Sequence, residues 1–268
     1  MRITFLGTGT PAAMPCGTCP CRYCAGYRHE GRTGFRPLVL VSEGETNILL
    51  DLGPDVRQQL LGHPVAHLEA VLGTHAHFDH FGGLVDFGLT SFWGMNAPTI
   101  FLNQGHREYC RTCYPWVRQP YEVVAYRKPF RVGALTVTAY ETVHAPSFET
   151  CCYVLENGKG GRFLYLPDAH GPRNEGDYAG MRAADLAVTD GSYALGELFD
   201  PLGSGTRLNG DPTHPTREEL GILWKSLGAS ATRLLQVSEH FFQKSHDEID
   251  ALLPDRIRVA RDGMVVEI

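Results

Sequence analysis

Within six residues, His75-Ala76-His77-Phe78-Asp79-His80, the chain places three imidazoles and one carboxylate. Burying that many polar groups without partners carries a heavy desolvation cost, and coordination of metal ions removes it. His75 and His77 are two apart, so in an extended segment they face one side and reach one ion. Asp79 and His80 then turn toward a second ion, and Gly82-Gly83 let the backbone enter a helix close by. Asp79 also suits catalysis, because a carboxylate can ligate a metal and accept a proton from an attacking water. Two divalent ions about 3.5 to 4 Å apart lower the pKa of a bridging water toward ~7, orient it and stabilise charge on substrate oxygens. The chemistry implied is hydrolysis by a metal-bridging hydroxide, with no protein nucleophile and no organic cofactor.

A second cluster, Cys16, Cys19, Cys21 and Cys24, puts four thiols on a loop that Gly17 and Pro20 fold tightly. This spacing suits a tetrahedral structural zinc, whose ligands fill every coordination position. Cys110 and Cys113 have ligand-like spacing but stand alone. Cys151 and Cys152 sit in a strand pattern that points them to opposite faces, as packing residues.

Residues 75–80 resemble the His-x-His-x-Asp-His signature of the metallo-β-lactamase superfamily. The resemblance implies an α/β chain of the four-layer αββα fold, with further ligands at strand ends: His144, Asp168 and His240. On that analogy His75, His77 and His144 hold one metal, Asp79, His80 and His240 hold the other, and Asp168 bridges them. Asp51 matches the acidic residue that supports the ligands from behind. The cysteine loop resembles that of the phosphodiesterase branch of the carbon–phosphorus lyase pathway, where it follows a Gly-Thr-Gly start like Gly7-Thr8-Gly9. That branch completes its zinc site with a histidine where this chain has Gln243. An amide is a poor ligand among thiolates, so the fourth position falls to Cys16, with His246 as the alternative.

Two residues compete to protonate the leaving group. His214, in Thr213-His214-Pro215-Thr216, resembles the His-x-Thr motif of the RNA-processing and phosphodiesterase branches. Tyr193 falls at a strand end where a related enzyme carries a histidine. The combined reading is a dinuclear phosphodiesterase acting on a small cyclic or diester phosphate, with two Zn or Mn ions, or Fe, in the site and one structural Zn. Another ester or lactone hydrolase of the same fold, or a non-hydrolytic accessory or redox member of the cofactor-biosynthesis type, are the alternatives. A homodimer is implied by the resemblance alone.

The elements that must position these groups are mostly short strands. Runs rich in β-branched and aromatic residues predict strands at Ile3 to Leu6, Leu38 to Val41, Asn47 to Asp51, Ala70 to Leu72, Thr99 to Leu102, Val132 to Tyr140, Cys151 to Leu155, Phe163 to Leu166, Leu186 to Val188 and Arg233 to Val237. Ile257 to Ile268 reads as a closing hairpin around Asp262-Gly263. A helix follows Thr216, carries Leu220, Leu223, Trp224 and Leu227 at helical spacing, and stops at Gly228. Residues 203–215 form the one long irregular stretch.

At 268 residues and 43% hydrophobic the chain can bury a large core, and residues 1–268 read as one domain. A formal net charge of -6 argues against nucleic acid as a partner, since phosphate backbones are gripped by clustered Lys and Arg. No apolar run approaches the ~18 residues of a membrane helix, and Met1 to Leu6 reads as a strand rather than a signal peptide. The expectation is a cytoplasmic enzyme with reduced cysteines.

Overall fold

Alternation along the strands decides which layer each side chain enters. In β2 (Leu38–Glu43) and β3 (Thr46–Leu50), Val39, Val41, Ile48 and Leu50 point into one apolar cluster while Leu38, Leu40 and Leu49 point into another. In β9 (Thr150–Glu156) and β10 (Arg162–Leu166), Tyr153, Leu155, Phe163 and Tyr165 share the first cluster, whereas Cys152, Val154, Leu164 and Leu166 enter a third. The shared cluster is therefore the seam between two face-to-face sheets, and the other two lie beneath helices. Each fully buried aliphatic side chain contributes roughly 1.5–3 kcal/mol. This is the four-layer αββα arrangement of the metallo-β-lactamase fold.

The computed structural model describes residues 1–92, 97–144, 148–191, 217–228, 232–236, 239–242, 244–253 and 255–268. The first sheet runs β15 (Val265–Glu267), β1 (Arg2–Gly7), β2, β3, β4 (Ala70–Leu72), β5 (Thr99–Leu102) and β6 (Tyr121–Val123). The second runs β11 (Gly171–Pro172), β8 (Leu135–Val143), β9, β10, β12 (Leu186–Asp190), β13 (Thr232–Gln236) and β14 (Ile257–Val259), with β7 (Phe130–Val132) beside β8. Each sheet begins antiparallel and turns parallel, at β3–β4 in one and at β10–β12 in the other.

Helices α2 (Val56–Gly62), α4 (Leu84–Phe92) and α5 (Gln104–Cys113) cover the first sheet. Helices α6 (Tyr178–Met181), α7 (Arg217–Leu227) and α9 (His246–Asp250) cover the second. Leu223 and Leu227 of α7 are buried, and Gly228, at φ 88°, ends the helix in the left-handed conformation. Thr216 lies outside the described residues. Short helices α1 (Arg22–Glu30), α3 (Phe78–Phe81) and α8 (Glu239–Phe242) carry or adjoin the chemistry-bearing motifs. Among the described residues no helix is long and apolar enough to cross a membrane.

Two sequence expectations need correction. The single strand expected from Val132 to Tyr140 is broken by a turn at Gly133, φ 51°, so β7 and β8 form a hairpin with Val132 opposite Leu135. The closing hairpin does not exist. β14 pairs with β13 in the second sheet while β15 pairs with β1 in the first, and the Asp262-Gly263 turn crosses between them. Asp262 pins that crossing by accepting hydrogen bonds from the N–H and hydroxyl of Thr8, both at 2.9 Å, and from the Phe35 N–H at 2.8 Å.

Candidate metal centre

The groups singled out by the sequence lie where strands end. Asp51 follows β3, His75 follows β4, His144 follows β8 and Asp168 follows β10. In α/β sheets the carboxyl ends of parallel strands are where ligands bind. Asp51 (φ 67°) and Asp168 (φ 44°) both adopt the left-handed backbone, which Asp tolerates better than most residues and which gathers at functional sites. His77 caps α3, and Asp79 and His80 lie inside that helix. Gly83, just after α3, has no room for a side chain. A Cβ there would meet the Gly53 carbonyl oxygen at 2.3 Å, so glycine is what lets the ligand segment settle against the loop after β3.

Two groups of donors converge. The ligand atoms of His75, His77 and His144 lie within 4.8 Å of one another, as do those of His75, His80 and Asp168. His75 Nε2 is 3.0 Å from His77 Nδ1, which is 3.2 Å from His144 Nε2. Asp168 Oδ2 stands 2.7 Å from His80 Nε2 and 3.9 Å from His75 Nε2, so one carboxylate oxygen faces members of both groups. Asp79 Oδ2 is 3.5 Å from His80 Nε2. His75, Asp79, His80 and His144 are all buried.

Hydrogen-bond accounting shows which ring nitrogen of His75 and of His80 is engaged from behind and which is left to face the site. Asp51 Oδ2 lies 2.7 Å from His80 Nδ1, and a carboxylate can only accept, so Nδ1 carries a proton and Nε2 is the nitrogen left to face the site. Thr74 donates its hydroxyl proton to Asp51 Oδ1 at 2.8 Å. Its oxygen, 2.9 Å from His75 Nδ1, must therefore accept from that ring, which leaves His75 Nε2 to face the site as well. Asp51 thus fixes the site-facing nitrogen of two rings, one directly and one through Thr74. The Thr74 N–H (2.8 Å) and the Tyr165 hydroxyl (2.9 Å) complete its four acceptances. His80 Nε2 is buried without a well-aligned hydrogen bond and stands 2.7 Å from Asp168 Oδ2, so in the metal-free protein a proton on this nitrogen offsets the carboxylate charge. A metal cation can take the place of that proton, and a ligating histidine whose other nitrogen donates to a carboxylate is the usual arrangement around a metal. The donor set fits divalent ions.

Burial shifts the titrations in opposite senses. It holds His75 well below the ordinary imidazole value, with the charge of His80 acting in the same direction. Burial alone would depress His80 too, but the carboxylates of Asp168, Asp79 and Asp51 outweigh it and hold His80 well above that value. Burial raises Asp79, with the charge of His80 opposing it.

The remaining sequence candidates fall differently. His240 lies in α8, past the end of β13, but its side chain is outside the described set, as are His214, Tyr193 and Gln243 altogether. The cysteine cluster is only partly a loop: Cys21 caps α1 and Cys24 sits in its first turn. The sulfurs of Cys19, Cys21 and Cys24 lie within 4.8 Å of one another. Backbone N–H groups aim at them in sequence, Cys21 at Cys19 (3.4 Å), Cys24 at Cys21 (3.4 Å) and Cys16 at Cys24 (3.3 Å). Cys16 thereby enters through its backbone. His246 begins α9, and its N–H donates to Glu239 at 3.1 Å.

Sequence reasoning missed four residues. Thr74 and Tyr165 bind Asp51 as above. Asn103 is fully buried and donates to the carbonyls of Thr74 (3.3 Å) and Glu149 (2.9 Å), tying the His75 turn to the strand entrance behind His144. Phe148 packs edge-on against the His77 ring at 4.8 Å. Thr74, adjacent to His75, carried a local signal; the other three are brought in by tertiary packing.

Residues 46–235 match the model of the beta-lactamase superfamily domain, and the chain belongs to that family. It is 36% identical to an octanoyltransferase of Porphyromonas gingivalis over 98% of its own length, but spans only 51% of that protein. In structure it is similar to a new diphosphatase from the PhnP family, with a TM-score of 0.77 at 22% identity over 99% of this chain and 97% of that one. The Zn(2+)-bound PqqB from Methylobacterium extorquens is similar with a TM-score of 0.80, again at 22% identity, over 100% of both chains.

Proposed function

We propose that the chain is a dinuclear metal-dependent phosphodiesterase acting on a small cyclic or diester phosphate. The observation that carries the proposal is the convergence of two donor groups that share His75, with Asp168 Oδ2 2.7 Å from His80 Nε2 and 3.9 Å from the shared His75 Nε2. His75, His77 and His144 would hold one ion, Asp79 and His80 with His240 the other, and Asp168 would serve both. When bound, such a pair supplies the Lewis acidity that activates water and neutralises charge on phosphate oxygens; Zn, Mn or Fe suits these ligands. The chain's own contribution is positional. Asp51 and Thr74 engage the Nδ1 atoms of His80 and His75, which leaves Nε2 of each ring directed at an ion, and Asp79 is placed to accept a proton from water. His214 or Tyr193 protonates the leaving group. Cys19, Cys21 and Cys24, with Cys16 or His246 as fourth ligand, would hold a structural zinc. The diester part of the reading rests on the likeness of the cysteine loop.

A specific observation favours a second reading. The 36% identity to an octanoyltransferase over nearly the whole chain points to an ester or thioester of a medium-chain acyl group as substrate. One panel separates the two. Protein loaded with Mn or Zn is assayed against bis(p-nitrophenyl) phosphate, cyclic nucleotides, lactones and octanoyl thioesters. The diesterase reading expects chelator-sensitive hydrolysis of the phosphates that His75→Ala abolishes. Cleavage of acyl substrates alone selects the second, and tightly held iron with no hydrolysis overturns both.

A further inference from the structure

Outside the metal centre, α5 presents the half-buried Arg107 and the exposed Arg111 to a cavity with no acid among its described lining residues. Arg107 and Arg111 are four residues apart, on one side of the helix. With Tyr114, Gln119 and Tyr121 they line a space of about 530 Å³ to which no carboxylate contributes among the described residues, although the chain carries a net charge of -6. Glu108, between them in sequence, is not part of the lining, and Gln104 donates to it at 2.5 Å. Arg107 donates to the neutral Gln104 oxygen at 3.1 Å, and its Nε is buried without a partner. Arg111 forms no hydrogen bond or ion pair among the described residues. The Tyr121 hydroxyl is buried and unpaired as well. Unpaired buried donors are unfavourable, and here they accompany two forks whose geometry matches an oxyanion.

We propose that this cavity is an oxyanion site, taking a phosphate group. Its setting relates it to the metal centre. From His77 the rings of Phe148, Tyr109 and Tyr114 follow in steps of 4.8, 5.9 and 6.4 Å, and Tyr114 lines the cavity. The site therefore lies at the far end of an aromatic row that starts on a metal ligand. A substrate bound at the metal centre would have to extend past that row to place a second phosphate here, and free inorganic phosphate offers the same chemistry without doing so. The site stands on its own geometry and does not depend on the diesterase reading.

The test uses metal-loaded protein and the double variant Arg107→Gln/Arg111→Gln, with Arg111→Lys as a charge-keeping control and thermal unfolding to verify the fold. In calorimetry with inorganic phosphate, the wild type should show binding beyond that at the metal centre. The double variant should lose it at least tenfold, and Arg111→Lys should retain part of it. In kinetics, a KM that rises only for substrates bearing a second phosphate assigns the site to the substrate. Lost phosphate binding with unchanged KM values assigns it to the free anion. Phosphate affinity and stoichiometry unchanged in a folded double variant overturn the proposal, whether or not the protein hydrolyses any diester.

Discussion

Asp51→Asn is the most informative single change, because it alters one atom type at the junction of four hydrogen bonds. Asp51 is fully buried and accepts from Thr74 N and Oγ1 (both 2.8 Å), His80 Nδ1 (2.7 Å) and the Tyr165 hydroxyl (2.9 Å). The amide keeps the shape but turns two donors toward one pair of these groups. Facing Thr74, its NH2 would oppose a backbone N–H that has no alternative. It therefore faces His80 and Tyr165, where the phenol can accept and the imidazole can move its proton from Nδ1 to Nε2. That relocation leaves a proton where His80 should offer a lone pair. The folded apo-protein should lose about 1–3 kcal/mol, the cost of a degraded buried interaction. The ion held by Asp79 and His80 should bind 10–100-fold more weakly, which is about 1.4–2.7 kcal/mol. Chelator competition followed by metal analysis measures the second quantity, and denaturant unfolding of metal-free protein the first. A variant that retains both ions with wild-type affinity would refute the tautomer argument.

Three further outcomes are expected. Thr74→Val should weaken the ion at His75, His77 and His144 roughly tenfold while sparing the other, and Thr74→Ser should restore it; cobalt titration, which resolves the two sites by absorbance, decides this. His106 is fully buried with neither ring nitrogen paired, and burial, aided by the charge of His80, pushes it down to about 3. The unfolded chain takes up that proton near 6.5, so stability is complete above that pH and declines as pH falls toward 3, by roughly 2 kcal/mol at pH 5. Metal-free His106→Leu should lack this share of the slope between pH 7 and 5, and an unchanged slope counts against it. Burial pushes the Cys24 thiol up to about 12, so only a bound metal keeps it ionised near neutrality. Cys24→Ala should therefore lose one zinc per chain under native mass measurement and keep its active-site ions.

What was legible in the sequence was local. The pair spacing of His75 and His77 states their common direction outright, and the strands flanking them are short apolar runs with sharp ends. The layered fold follows from alternation such as Val39-Leu40-Val41, which assigns successive side chains to opposite faces. Three things were not legible. Asp262-Gly263 signals a turn but cannot say that its flanks join different sheets. Gly133 hid within a long β-branched run because its neighbours favour strand on both sides. The thiols from Cys16 to Cys24 drew the reading toward a loop, while Cys21 acts as a helix cap through its sulfur. The path from Asp51 through Thr74 to His75 depends on parallel pairing of β3 with β4, a contact between segments that no local pattern encodes.

The crossing at Asp262 also sets a schedule. Thr8 and Asp262 are 254 residues apart, and the strand that flanks β1 follows Asp262. At ribosomal speeds of about 5–20 residues per second, β1 waits roughly 13 to 50 s for its outer neighbour. Until that strand is made the first sheet exposes an open edge to other nascent chains. Closure of both sheets thus waits until residues 257–267 have been made, and chains that stop short of them are the form of this molecule most exposed to aggregation.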